Sequence, residues 1–275
     1  VSQRPLVLVT GSSGSVGRAL VAGLPGAGWS VRGLDLVAPV GGQPDTAPEA
    51  GLVLGDSFDR ALLDEALAGC VAVVHLAAVP HEAPVAEIAA SHVTGLTAVL
   101  DATLRAGIDR FVFASSNHAV GFTPRQERVG TGTRPRPDSY YGVGKVAGEA
   151  LCSLYSDQHG LRTAALRIGS FQPRPLTRRH LSTWLSPGDL VRAVDACLRH
   201  PALSCATLYG ISANTRGWWD LAPGRALGYE PQDDAEDFAA EILASTPEPA
   251  ADDPEHACLG GAFVAAGLPT PEERA

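Results

Sequence analysis

The stretch Thr10-Gly-Ser-Ser-Gly-Ser-Val-Gly17 constrains the fold more than any other part of the chain. It follows the apolar run Leu6 to Val9 and opens a segment of helical period that reaches about Ala27. Glycines at 11, 14 and 17 answer three steric demands of a strand that turns sharply into a helix: a tight turn, close approach of a pyrophosphate to the backbone, and packing of helix on strand. The helix N-terminus then offers free N–H groups to the phosphates. A glycine triplet alone is a weak signal. Here Asp35 closes the second strand about twenty residues further on, placed to accept hydrogen bonds from an adenosine ribose, and Asp56 in Leu54-Gly-Asp56 ends the third. The bland alternative, a glycine turn and two N-capping aspartates, leaves the register of strand, helix and acid unexplained. Asp35 also points to NAD over NADP, since a carboxylate repels a 2′-phosphate, and Arg32 stands close enough in sequence to soften that preference.

The alternation continues downstream. Strand-length apolar runs lie at Ser30 to Leu36, Leu52 to Leu54, Val71 to Leu76, Phe111 to Ala114 and Thr163 to Ile168, with helical segments near 85 to 106 and 140 to 159. Continuous apolar strands separated by helices predict an α/β fold, a Rossmann-type doubly wound parallel sheet covered on both faces. Residues 1–168 are expected to form the nucleotide-binding part with the catalytic residues, and 169–275 a small C-terminal substrate lobe integrated into the same domain. Ser186-Pro-Gly-Asp189 carries a capping-box pattern with proline at the first helical position, so a helix is expected over Leu190 to Leu198. Ala38-Pro-Val-Gly-Gly-Gln-Pro44 and Gly130-Thr-Gly-Thr-Arg-Pro-Arg-Pro137 read as surface loops. Beyond Asp233 the chain turns acidic and proline-rich, which predicts one more helix, about Ala235 to Ala244, and a meandering tail.

With 275 residues, 45% of them hydrophobic, a sizeable core is available. No apolar run reaches the roughly eighteen residues of a membrane span, and Val1-Ser-Gln-Arg-Pro5 leads straight into a strand with no signal-peptide core. The expected location is the cytoplasm, with no membrane partner. A net charge of −9 argues against a nucleic-acid surface but leaves room for a local cationic pocket. The five cysteines, odd in number and without a CxxC pair, suggest neither a metal site nor a disulfide frame.

Polar side chains bunch at the end of the fifth strand, where Ser115-Ser-Asn-His118 follows Arg110-Phe-Val-Phe-Ala114. Such groups are left half buried without partners unless something binds there. Farther on, Tyr141 and Lys145 stand four apart and share one helix face, and an ammonium beside a phenol stabilises the phenolate. Tyr141 is then able to take a proton from an alcohol while a hydride leaves for a nicotinamide, with Ser116 donating to the same substrate oxygen. An isolated Tyr and Lys at this spacing are ordinary exposed residues. Downstream of the glycine turn and the strand-end polar run, the chemical reading is preferred.

Together these residues resemble the extended short-chain dehydrogenase/reductase superfamily: TGxxGxxG, an acid after the second strand, His75-Leu-Ala-Ala78 after the fourth, serine after the fifth, then YxxxK, over roughly residues 5 to 210. Ser115-Ser-Asn-His118, Arg167-Ile-Gly-Ser170, Leu181-Ser-Thr-Trp-Leu-Ser186 and Ser212-Ala-Asn-Thr-Arg-Gly-Trp-Trp-Asp220 look more narrowly like the uronate dehydrogenases, which oxidise the anomeric carbon of galacturonate or glucuronate with NAD to an aldarolactone. The resemblance implies NAD contacts at Gly11, Ser13, Gly14, Val16, Gly17, Asp35, Asp56, Leu76, Ala77, Ala78, Tyr141, Lys145 and Ile168. It makes Tyr141 the base beside Ser116 and Lys145, gives Ser116 and Asn117 the sugar hydroxyls, lets Ser170 assist, and sets Arg179 on the substrate carboxylate, where a planar guanidinium can pair bidentately. His118 is either a substrate contact or a capped strand-end residue, and the paired Trp218 and Trp219 are expected to pack the C-terminal lobe. The implied partners are a small anionic sugar and, as a homo-oligomer, further copies of the chain.

The chain departs from the superfamily pattern in places. His92 in Ser91-His-Val-Thr-Gly95 stands where an asparagine is frequent, Gly144 where serine is common before the lysine, and Pro80 where uronate dehydrogenases tend to have a substrate-touching serine, with His81 beside it. Two rivals share the motifs. A nucleotide-sugar epimerase or dehydratase usually needs a larger C-terminal lobe than the hundred or so residues after Ile168. A catalytically silent NAD-sensing module has no need of Ser116, Tyr141 and Lys145.

Overall fold

The computed structural model describes residues 4–39, 48–125, 128–250 and 253–268, so most of the first expected loop, 40–44 included, lies outside the described residues. The alternation runs β1 (Leu6–Thr10), α1 (Ser15–Gly23), β2 (Ser30–Asp35), β3 (Leu52–Leu54), α2 (Arg60–Leu67), β4 (Ala72–His75), α3 (Val85–Ala89), α4 (Leu96–Arg105), β5 (Arg110–Ser116), α5 (Tyr140–His159), β6 (Arg162–Ile168), β7 (Ser170–Phe171), α6 (His180–Thr183), β8 (Trp184–Leu185), α7 (Pro187–Arg199) and β9 (Cys205–Gly210). A π-helical turn, Ala90–Gly95, joins α3 to α4. Ser186 caps α7 by accepting from the Asp189 N–H at 2.9 Å, as its sequence indicated.

Successive residues of β1 face opposite ways. Val7 and Val9 pack with Leu20 and Val21 of α1 and with Leu190, Ala193 and Val194 of α7. Leu8 packs with residues of α2, α4 and α5 on the other side. A strand apolar on both faces requires this double cover, which is why the sheet is parallel throughout and the chain crosses over by helices. Its order is β3-β2-β1-β4-β5-β6-β9, the Rossmann arrangement with one added strand. β9 is the strand of this sheet that the sequence reading missed, because Cys205-Ala-Thr-Leu-Tyr-Gly210 lacks a long apolar run, and the helix α2 was not named there either. Among the described residues no helix is long and apolar enough to cross a membrane.

Strand order reverses between β1 and β4, and a crevice opens beyond their carboxyl ends. Thr10 sets that crevice. Its Oγ1 accepts from the N–H groups of Leu76 and Ala77, both at 3.2 Å, so its own proton goes to Nδ1 of His75 at 2.8 Å. Burial, helped by Lys145 and His92, takes the His75 pKa down to about 3, and the ring is neutral.

Under the strand ends, Arg167 meets Glu149 with two bonds of 2.8 Å, and Ser115 donates to the same carboxylate at 2.6 Å. The arginine side chain is 4% exposed and the glutamate 13%, so neither charge has water to fall back on. Glu149→Ala should therefore cost about 3–5 kcal/mol by leaving a buried guanidinium unpaired. For a chain of this size that lowers Tm by on the order of 10 °C. A thermal melt within about 2 °C of wild type would refute the assignment of this pair as the weld between α5 and β6.

The expected helix after Asp233 is a 3-10 turn, Ala235–Phe238, continued by the helix Ala239–Ser245. Trp219 is buried and donates to the Ser182 carbonyl at 3.0 Å, while Trp218 packs beside it under Arg125. Over residues 253–268 the tail does not meander. Leu259 donates its N–H to Thr123, Gly260 to Gly121, and Arg125 donates to Ala257, so a strap at 257–260 is laced antiparallel to residues 121–125. It brings the helix Ala262–Ala266 back to the mouth of the crevice.

Candidate active site

The crevice is a cleft of about 810 Å3. At one end lies the glycine turn. Gly11 has φ +69°, and a Cβ on it would stand 2.9 Å from the Ala77 nitrogen; one on Gly17 would stand 2.2 Å from the Gly11 carbonyl oxygen. Gly14 differs, since a Cβ there meets only the Gly11 oxygen at 3.4 Å, and the space it keeps open belongs to the cleft. Gly14 also begins α1 without a side-chain cap, and no acid stands in the first turn, which leaves helix N–H groups facing the cleft. Asp35 is held at the lip by N–H groups of Ser13 at 2.8 Å and Val37 at 3.3 Å. Arg32 points elsewhere: it donates to the carbonyls of Ala66 and Ala68 at 2.9 and 2.7 Å, at the C-terminal end of α2, so the expected softening of Asp35 has no basis. Ser13, Val16, Asp56, Leu76, Ala77, Ala78 and Ile168 line the same cleft.

At the other end stand Ser116, Asn117, His118, Tyr141 and Lys145. The Ser116 hydroxyl lies close enough to the Tyr141 phenol to favour its ionised form. Burial nevertheless raises the Tyr141 pKa, Ser116 opposes that rise, and the Asp138 charge adds to it. Lys145 donates to the Ala114 carbonyl at 2.8 Å, with Nζ 5.3 Å from the centre of the Tyr141 ring. Burial takes its pKa down to about 7, so at neutral pH the ammonium that should favour the phenolate is only partly formed. His118 donates from Nδ1 to Asp138 at 2.8 Å, which leaves Nε2 for another partner. Its N–H is also capped by Ser116, so the capped strand-end description holds together with a place on the cleft.

Ser170 and Arg179 do not line the cleft. Thr183 gives its proton to the Arg179 carbonyl, and Ser170 in turn donates to Thr183 at 2.8 Å. Arg179 lies behind the strap. Its Nη2 donates to the Leu259 carbonyl oxygen, which also receives Asn117 Nδ2 at 3.3 Å. Nη1 is buried without a hydrogen-bond partner among the described residues. Burial, reinforced by Arg125, brings the guanidinium pKa down to about 10.

Three residues of the site carried no signal in the sequence reading. Phe263 lines the cleft with its ring 4.1 Å from that of His118 and 6.1 Å from that of Tyr141. Asp138 is fully buried behind His118 and also accepts from Ser139 at 2.9 Å. Glu82 accepts from the N–H groups of Tyr140 and Tyr141 at 3.1 and 2.9 Å, and with the Ser139 cap it satisfies the first turn of α5. Only the Asp-Ser pair ahead of Tyr140, a helix-start pattern, could have marked one of them.

Residues 7–175 match the NAD dependent epimerase/dehydratase family. The chain belongs to that family. A uronate dehydrogenase of Pseudomonas putida is 38% identical over 261 residues, covering 95% of this chain and 96% of that protein. A variant of the Agrobacterium tumefaciens uronate dehydrogenase, solved in complex with NAD, superposes with a TM-score of 0.87 at 38% identity, over 95% of this chain and 97% of that one. Glucuronic acid dehydrogenase from Chromohalobacter salexigens gives 0.88 at 38% identity, over 96% and 98%. The cleft of this family member suits NAD on its own chemistry: the space over Gly14, the uncapped start of α1 for phosphates, and the fixed carboxylate of Asp35 for a ribose.

Proposed function

We propose that the enzyme oxidises the anomeric carbon of a hexuronic acid, galacturonate or glucuronate, to an aldarolactone, with NAD. The observation that carries this reading is Arg179, a buried guanidinium with an unpaired Nη1, joined through one carbonyl oxygen to Asn117 and so to the Ser116 and Tyr141 end of the cleft. A buried cation with an unpaired donor, one carbonyl away from the cleft, suits a carboxylate. The curated uronate dehydrogenase matched over nearly the full length of both chains supports the same substrate class. It also counts against a nucleotide-sugar enzyme with a larger lobe.

Bound NAD supplies the hydride acceptor. Tyr141 Oη takes the proton of the anomeric hydroxyl, and the Ser116 hydroxyl and Lys145 ammonium stabilise the phenolate that does so. Asn117 and Nε2 of His118 hold ring hydroxyls, Ser170 supports that wall, and Glu82 keeps the first turn of α5 in place. Phe263 excludes water from the reacting carbon. Residues 1–168 supply the nucleotide and proton machinery together with Asn117 and His118, and 169–275 complete the substrate side. The reading places the enzyme in the cytoplasm, as a homo-oligomer.

Turnover with NAD should be measured on a panel of uronic acids, neutral hexoses and UDP-sugars, by the absorbance of the reduced cofactor. Galacturonate or glucuronate should be the preferred substrate. A UDP-sugar turned over in preference to both acids would overturn the reading.

Cofactor choice follows from Asp35. With Arg32 engaged at α2, its guanidinium does not offset a carboxylate facing a 2′-phosphate, at a cost of about 1.4 kcal/mol or more. NAD should be favoured over NADP by at least about tenfold in kcat/KM, and Asp35→Ser should narrow the gap. Equal kcat/KM for the two cofactors in wild type would contradict the role given to Asp35.

A further inference from the structure

The imidazole of His92 is a buried titratable group of this site that the proposed chemistry leaves without a part. It sits on the π-helical turn Ala90–Gly95 and is 2% exposed. Its Nε2 lies 2.9 Å from the Val79 carbonyl oxygen, which can only accept, so Nε2 carries the proton and Nδ1 presents a lone pair. Nδ1 is buried with no hydrogen-bond partner among the described residues. An acceptor in that condition costs stability unless a donor reaches it. The ring meets Tyr141 edge to face, with centroids 5.6 Å apart and planes at 87°. Room for it comes from Gly144, where a Cβ would stand 2.8 Å from both His92 Cγ and Ile88 Cγ2. The histidine at 92 and the glycine at 144 are therefore one coupled departure.

The titratable groups facing this imidazole are Tyr141 and Lys145 of α5 and His75 of β4. His75, whose Nδ1 accepts from Thr10, keeps one donor on Nε2, but burial holds it neutral and it brings no charge to the pair. Lys145 has three donors as an ammonium and uses one on Ala114, while burial works against its charge. We propose that His92 is a positioning residue for the Tyr141 and Lys145 pair: its Nδ1 lone pair accepts a hydrogen bond from a water that the Lys145 ammonium holds, and so keeps the charge beside the phenol. This rests on the assignment of Tyr141 as proton acceptor. Burial also lowers the His92 pKa to about 4, which keeps that lone pair free at any working pH.

The test separates the lone pair from the anchor. His92→Gln carries an amide N–H toward Val79 but no acceptor at the Nδ1 position. Tyr141 is titrated by its ultraviolet tyrosinate absorbance, isolated as the difference between each protein and the same protein carrying Tyr141→Phe, and the pH profile of kcat/KM is recorded with NAD and the better uronate. In His92→Gln both titrations should move to higher pH, with kcat/KM about fivefold lower near neutrality and the deficit closing on the alkaline side. Gly144→Ser alone, which crowds the ring, should lose about tenfold, and His92→Asn added to it should recover most of that loss. An unmoved tyrosinate titration in His92→Gln, or a double variant no better than Gly144→Ser, overturns the proposal even if uronate oxidation stands. Should wild type oxidise no uronate, that reading fails alone, and the tyrosinate titration still decides the role of His92.

Discussion

Tyr141→Phe should lower kcat by at least about a hundredfold while NAD binds within about twofold of wild type. The ring contacts with His92, His118 and Phe263 do not involve the hydroxyl, so the variant keeps the shape of the site and loses only the proton acceptor. The pH dependence of wild type has a definite sign. Burial raises the Tyr141 pKa, so the phenolate becomes more populated, and the rate rises, as pH increases. Lys145, held at about 7, loses its charge over part of the same range, so the rise should be shallower than a lone phenol would give. In Tyr141→Phe the alkaline rise should vanish with the activity. Turnover at a tenth of wild type or better would move the base elsewhere, and His118, which lies edge-on to the same ring, would be examined next.

Arg179→Ala should cost about 2–4 kcal/mol in kcat/KM for a uronate, a loss on the order of 30- to 1000-fold. Two effects are mixed in that number. The substitution leaves a desolvated carboxylate unpaired, and it also frees the Leu259 carbonyl, loosening the strap that seats Phe263. A neutral hexose separates them. Strap loosening impairs both substrates alike, whereas loss of the ion pair falls on the uronate alone, so the alanine variant should discriminate less between acid and neutral sugar. Arg179→Lys should recover part of the loss, since an ammonium keeps the charge without the fork. Unchanged uronate kinetics in Arg179→Ala, or wild-type oxidation of glucose or galactose as fast as the matching uronate, would dismiss the carboxylate anchor.

The nucleotide half was legible because its demands are local. Gly11, Gly17 and Asp35 stand within one strand-helix-strand unit, and period and spacing suffice to place them around a common cleft. Ser186 announced the start of α7 for the same reason. The substrate side resisted, because its geometry depends on where distant segments return. Phe263 reaches His118 on a strap laced to residues 121–125 by hydrogen bonds between main-chain groups, which no side-chain pattern encodes. Arg32 looked like a neighbour of Asp35 in sequence, yet in a strand its side chain points toward the end of α2. Arg179 came from the resemblance to the uronate dehydrogenases, and the carbonyl of Leu259 that holds it could not be read from residue identity at all.

One carbonyl oxygen, that of Leu259, collects both Asn117 and Arg179, on a ribbon that takes no part in the seven-stranded sheet. On the proposed assignment, the choice of sugar and the grip on the dinucleotide are inherited through separate stretches of chain. Drift in the ribbon can retune which sugar is admitted while the redox partner stays constant, so a lineage carrying this scaffold can sample new diets without relearning how to hold its cofactor.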